Sequence, residues 1–401
     1  MIVLGPTNSR HNDASLQSKI SSDRRWDNRL TMSNKIATIL RVAIATVLGS
    51  AIVFPALYQP SLDHLWAALK SNAFYQASTF ETFWTVLCYA MVEPLITVVF
   101  LQHPEWRLAA KHKKTDEPVS RPGGMVGPSN RLPQGLAYIF PPLFLDLTKK
   151  MDEPASRPHG MRRPASRLLE GLTYIVPLLL LDLTMIKKFA GVPLEAMLSS
   201  GNYDPALARS NCRGNTCQVN FLMPSVHNFS FSSPLQTQRA LPDVAPSSRR
   251  LALELVASFV IYDAAFFAFH LAMHVLPGIR LWHAPHHTHA EIHPQVTNQL
   301  HIFERMGLVL LANFSLNIIR SHVLTRTLFV PLFVWLLVEI HSGLDLPWGY
   351  EKVLPRGWGG GARKHARHHA GGEGGLEPYF EWCDGALEYG KALLRSRQPS
   401  E

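Results

Sequence analysis

The sequence predicts an all-α integral membrane protein, with transmembrane helices carrying a helical polyhistidine metal domain that faces the cytosol. Three observations lead there. Apolar residues gather in long blocks although the mean hydropathy is near neutral, at +0.02. Basic residues crowd the outer flanks of the first two blocks, and thirteen of the nineteen histidines fall between residues 270 and 369.

Residues 1–34 are polar and lack the apolar core of a signal peptide, so they read as a disordered cytosolic tail. A membrane unit is expected over 35–110. Ile36 to Tyr58 is an apolar block whose one charge is Arg41, and Thr82 to Leu101 is a second, interrupted by Glu93. Each is long enough to cross a hydrocarbon layer of roughly 30 Å. Arg24, Arg25, Arg29 and Lys35 precede the first block and Arg107, Lys111, Lys113 and Lys114 follow the second, whereas Lys70 is the one Lys or Arg between them. By the positive-inside rule both outer flanks are cytosolic. These flanks largely explain the net charge of +9. No folded basic module suggests nucleic acid as a partner.

Residues 111–186 hold a repeat with a period of 36: Asp116-Glu117-Pro118 recurs as Asp152-Glu153-Pro154, and the stretch from Gly135 to Pro141 recurs from Gly171 to Pro177. Two copies are too few for a solenoid and read as a tandem duplication or a duplicated stretch of the gene model. The second copy runs on through Leu178 to Met185 and is expected to be the helical one. Residues 187–250, rich in Ser, Pro, Asn and Arg, read as a long irregular connection. Within it Cys212 and Cys217 flank a short turn and could pair if that loop were lumenal, but four cysteines form no disulfide framework and free thiols are expected. Asn228-Phe-Ser and Asn313-Phe-Ser are glycosylation sequons by spelling only.

Residues 251–390 form the histidine domain, followed by a polar tail over 391–401. The run Leu251 to Val275 is long and apolar enough for a buried or membrane helix, and it ends in His270-x-x-x-His274. His283-x-x-His286-His287 and His365-x-x-His368-His369 follow. Residues three and four apart share a helix face, so each box can aim its imidazoles at one point. A lone pair of this kind is ordinary, but eight imidazoles in an apolar region are costly to bury without a partner, and a metal supplies one. Imidazole suits Zn, Cu, Fe and Ni, so the ligand type does not choose among them. Asp263, two turns upstream on the same stripe, is the candidate carboxylate for a ligand's second ring N–H. Met306 to Ile319 and Leu328 to Ile340 are short apolar runs, expected to enter the bilayer as a hairpin and bring His301 and His341 back to one side. His289 and His293 are extra histidines beside the second box; His289 reads as a solvated loop histidine, with a further ligand or a proton carrier as the alternatives. His289-Ala-Glu291 lacks the Pro-Cys-x-x-Cys of a zinc deaminase, and His-Glu-x-x-His is absent.

The order Asp263, His-Leu-Ala-Met-His (270–274), His-Ala-Pro-His-His (283–287), His-Ser-Gly (341–343), His-Ala-Arg-His-His (365–369), with Tyr379, Trp382 and Asp384 closing, resembles the fatty acid hydroxylase/sterol desaturase superfamily. The match covers roughly residues 255 to 385. The segment Glu339 to Trp348 is similar to the sterol C4-methyl oxidase and sterol 25-hydroxylase branches.

The resemblance implies a non-haem diiron centre that uses O2 to hydroxylate or desaturate a sterol-like or other hydrophobic lipid. Its ligands would be His270, His274, His283, His286, His287, His365, His368 and His369, with His341 a ninth. It implies two Fe ions, with Zn possible in isolated protein, a location in the endoplasmic reticulum, and external electrons from cytochrome b5 and its reductase. No G-x-G-x-x-G after a strand and no His-Pro-Gly-Gly replaces that donor within the chain. Departures from the pattern bear on substrate and efficiency: Ala366 stands where the last box usually has Asp, His301 is followed by Ile302 rather than Pro, and Leu387-Glu388-Tyr389-Gly390 replaces the usual close. Alternatives are a tailoring oxidase acting on a terpenoid or polyketide, and a non-catalytic, metal-stabilised membrane protein.

Overall fold

A computed structural model describes residues 33–108, 168–204, 206, 219–288, 292–371 and 374–396. Most of the N-terminal tail, the first copy of the repeat, Cys212 and Cys217, His289 and the last residues of the polar tail lie outside this set. Among the described residues the structure is helical, and extended pairing is limited to isolated bridges.

Four helices are long and apolar enough to cross a membrane: α1 (Ser33–Val53), α4 (Phe80–Gln102), α7 (Ser248–Val275) and α10 (Val323–Ile340). Between them come α2 (Pro55–Ser71), α3 (Ala73–Gln76), α5 (Leu168–Thr184), α6 (Leu194–Ser200), α8 (Pro277–His283) and α9 (Ile302–Ile318). The chain closes with α11 (Tyr350–Val353), α12 (Gly361–His369) and α13 (Trp382–Ser396).

The first apolar block does not run unbroken to Tyr58. Helix α1 stops at Val53 and Pro55 opens α2, because a proline disfavours the helical conformation of the residue before it. The expected short hairpin is also revised, since α10 begins at Val323 and reaches the length of a membrane span on its own. The polar residues Thr325 and Arg326 that made its apolar run look short are buried against protein. Histidine serves as the N-cap of both hairpin helices: Nδ1 of His301 accepts from Phe303 N and Nδ1 of His322 from Leu324 N.

Helix α10 is the most enclosed of the four spans and α1 the least. Helices α4 and α10 pack through Cys88, Ile96, Phe100, Val334 and Val338, capped by Leu344 and Leu346. Helices α7 and α9 share a second cluster of Tyr262, Phe266 and Leu308 with Tyr379.

The helix ends define two faces. On one lie the start of α1, the ends of α4, α7 and α10, and α12. There Arg41 donates to the carbonyls of Lys352, Val353 and Leu354, and Leu108 N pairs with Gly343 O at 2.8 Å. On the other lie the end of α1, the starts of α4, α7 and α10, and the connection after α5. Ser248 there donates to Ala51 O. The described part of that connection carries the short helix α6 and is tied to the bundle: Ser78 N donates to Thr237 O, Ile186 N to Ser225 O and Gln236 N to Leu183 O. The buried guanidinium of Arg239 grips Tyr75 O.

Candidate metal centre

Nine histidines meet on the first face, brought there by local chain features. Pro277 has no N–H to continue α7 and restarts the chain as α8, which folds His283, His286 and His287 back toward His270 and His274 at the end of α7. His341 caps the C-terminus of α10. The turn after it needs Gly343, whose φ is +67° and whose missing Cβ would strike the carbonyl of Ile292. Helix α12 then offers His365, His368 and His369 from one face, with Gly361 N held by Tyr350 Oη at 3.0 Å.

The imidazoles form two adjoining groups. His270, His274, His283, His287 and His368 make one, and His286, His341, His365 and His369 the other; within each, the candidate ligand atoms lie within 4.8 Å of one another. Seven of the nine are buried, with His274 and His287 partly so. The groups touch where the rings of His287 and His369 stack at 4.5 Å.

Hydrogen bonding at Nδ1 decides what each Nε2 offers. His270 Nδ1 lies 2.8 Å from Leu376 O, His341 Nδ1 2.8 Å from Leu337 O, His368 Nδ1 3.0 Å from Gly374 O and His283 Nδ1 2.8 Å from Glu304 Oε1. Carbonyl and carboxylate oxygens only accept, so these rings donate from Nδ1 and a neutral imidazole then has a bare Nε2. Bare nitrogens nevertheless face each other: His270 and His283 Nε2 are 2.9 Å apart, and His270 and His368 Nε2 3.2 Å. Lone pairs at that distance repel unless a cation lies among them.

Protons are a poor choice of cation here. Burial first, and then the neighbouring imidazoles, hold His286, His365 and His369 well below the ordinary histidine range. Burial also pushes His341 and His368 down to about 4 and His287 to about 2. The donor set therefore fits metal ions: neutral, converging and short of any other partner.

The supports of the ligands were mostly invisible in the sequence. Asp263 is not the carboxylate that receives a ring N–H; its Oδ1 accepts from the backbone N–H of Tyr379 at 2.8 Å and Phe380 at 3.2 Å. It fixes the loop before α13. Asp384 fixes the other part of that loop, accepting from Gly375, Leu376 and Glu377 N, and so places the carbonyls that receive His270 and His368. Among the described residues, the carboxylate that does bond one of the nine rings is Glu304 on α9. Among the described residues Nδ1 of His286, His365 and His369 has no hydrogen-bond partner, and two of these belong to the box in which Ala366 replaces the usual Asp. His301 caps α9 and stands against Trp282; like the buried His293, it belongs to neither group.

Fold and site together describe a helical protein with four membrane-length helices and two adjoining all-histidine groups that could hold metal ions. Residues 255–388 match the family model described as fatty acid hydroxylase. The resemblance to that superfamily and to its two sterol branches holds over this segment. The chain is 32% identical to mouse cholesterol 25-hydroxylase over 148 residues, 37% of this chain and 50% of that protein. It is 33% identical to a zebrafish cholesterol 25-hydroxylase-like protein over 35% of this chain and 56% of that one. For methylsterol monooxygenase 1-3 of Arabidopsis thaliana the identity is 29%, over 35% and 48%. The chain thus spans about half the length of the curated relatives it matches. No solved structure matches it.

Proposed function

We propose that this protein is a membrane-bound oxygenase that hydroxylates or desaturates a sterol-like or other hydrophobic lipid. The observation that carries the reading is the convergence of bare Nε2 atoms in two adjoining groups at the end of four membrane-length helices. The names of the relatives supply the lipid class. His270, His274, His283, His287 and His368 would hold one iron, and His286, His341, His365 and His369 the other. Two irons bound there would supply the activation of O2 and the abstraction of hydrogen from an unactivated C–H bond.

The chain's own residues do the rest. Glu304 and the carbonyls of Leu376, Gly374 and Leu337 hold four rings in the tautomer that offers Nε2. Asp263 and Asp384 hold the loop that carries two of those carbonyls. Phe266 lies edge-on to His270 at 5.3 Å and Tyr262 packs behind it, giving an apolar wall that excludes water on the membrane side.

Electrons would come from cytochrome b5 and its reductase or a similar donor, docking on the face that carries the histidines. Basic residues at the start of α1 and after α4 support a cytosolic position for that face by the positive-inside rule, and the endoplasmic reticulum suits the substrate class. The test is oxygen labelling. Membranes containing the protein, an NADPH-driven reductase and cytochrome b5 would be given ¹⁸O2 with cholesterol, a 4-methylsterol, ceramide and terpenoid alcohols. One labelled oxygen per hydroxylated product, or an added double bond, is expected with at least one lipid. No oxidised product from any, in protein that carries iron, would contradict the reading.

A further inference from the structure

A cavity of about 140 Å³ lies between α4, α5, α9 and α10, toward the face opposite the histidines. Its lining combines the charged Glu81, Asp182, Lys187 and Arg326 with apolar walls that include Leu316, Val330 and Phe333. The charges around it do not cancel. Glu81 is held by Lys187 and Arg239, Asp182 by Lys187 and Glu254, nearby, by Arg250. Among the described residues three carboxylates thus meet four cations, one of them the half-exposed Arg250, and Arg326 is the cation with no carboxylate in direct contact.

Arg326 is 7% exposed. Its guanidinium donates only to the neutral amide oxygens of Asn313 and Asn317, and its Nε has no partner. The nearby carboxylates Glu81 and Glu254 act on it through space while bonding other groups; a buried guanidinium with no carboxylate in direct contact is costly, and the planar fork it presents matches a carboxylate in particular. Two of the lining rings, Phe329 and Phe333, begin a series of packed aromatic rings that ends at the metal centre: Phe329 to Phe333 at 5.3 Å, Phe333 to Tyr262 at 5.0 Å, Tyr262 to Phe266 at 5.9 Å and Phe266 to His270 at 5.3 Å. Arg326 and His341 are fifteen residues apart on the axis of α10, roughly 22 Å at the rise of a helix.

We propose that this cavity binds the carboxylate head of an amphipathic lipid, with Arg326 as the anchor and the lipid's tail directed along the aromatic series toward the histidines. The proposal rests on the lipid-oxygenase reading and narrows it to substrates that bear an acid at the end remote from the oxidised carbon. A lipid with a neutral head leaves the guanidinium uncompensated and binds more weakly.

The test measures binding in metal-free, detergent-purified protein, so it does not depend on turnover. Fluorescent cis-parinaric acid and its methyl ester would be titrated into wild type, Arg326→Gln, Arg326→Lys and Val330→Trp. The acid should bind wild type at least tenfold more tightly than the ester, lose that advantage in Arg326→Gln, keep part of it in Arg326→Lys, and be displaced by Val330→Trp, which fills the apolar wall without touching the anchor. Equal binding of acid and ester by wild type, or acid binding that survives Arg326→Gln or Val330→Trp, would overturn the proposal and leave the oxygenase reading untouched.

Discussion

The Nε2 atoms of His270 and His368 lie 3.2 Å apart, and each ring has its Nδ1 hydrogen engaged by a backbone carbonyl, of Leu376 and Gly374 respectively. Two lone pairs are thereby aimed at one point from helices that meet only through the fold. A metal ion answers that arrangement, and several measurable consequences follow from the groups that maintain it.

Glu304 is the carboxylate that orients His283, at 2.8 Å. Glu304→Gln keeps an acceptor of the same size and is expected to weaken metal binding by roughly tenfold, and Glu304→Leu by up to about a hundredfold. Competition with a chromophoric chelator on purified protein reads both. Unchanged affinity in Glu304→Leu would show that His283 needs no such partner.

Gly343 bridges His341 to the strand-like contact with residues 107–108. In Gly343→Ala the φ of +67° alone costs about 1–3 kcal/mol, and the added Cβ also overlaps the Ile292 carbonyl, a backbone group that must shift. A lower melting temperature with loss of metal from the four-histidine group is expected; a variant as stable and as metal-rich as wild type would refute the role assigned to this glycine.

Acid should unfold the metal-free protein early. His341 and His368 titrate near 4 in the folded chain against about 6.5 when unfolded, so below pH 6.5 the unfolded state binds the extra protons. Stability is therefore greatest above about pH 6.5 and falls as pH drops toward 4, by up to about 1.4 kcal/mol per pH unit for each such histidine. Thermal melts of chelated protein across that window check the sign. A melting temperature flat from pH 7 to 4 would contradict neutral, buried imidazoles.

Orientation is open to labelling. Phe231 is fully exposed on the connection after α5, and Trp358 is 49% exposed beside the histidine domain. In a chain stripped of its four cysteines, a single cysteine at 358 should react with an impermeant maleimide added from the cytosol, and one at 231 only from the opposite side. Labelling of both from one side would overturn the helix arrangement.

The histidine boxes were legible because spacings of three and four put side chains on one helix face whatever the surroundings. All nine histidines named from the sequence fall in the two groups. What sequence could not supply is the partner of each Nδ1. Backbone carbonyls carry no residue identity, and Glu304 lies twenty-one residues beyond His283, joined to it only by the packing of α8 against α9. Asp263 misled for the same reason, since its stripe on α7 also faces the loop at Tyr379. The membrane helices were found by apolar length, but α10 looked short because Arg326 reads as polar in sequence and is buried by its neighbours in the fold.

The most direct test is metal stoichiometry. Elemental analysis of detergent-purified wild type should give about two irons per chain, and a His286→Ala, His365→Ala double variant, which breaks only the four-histidine group, should retain about one. Wild type that binds no metal after iron reconstitution, or a double variant that still holds two, would contradict the two-group centre.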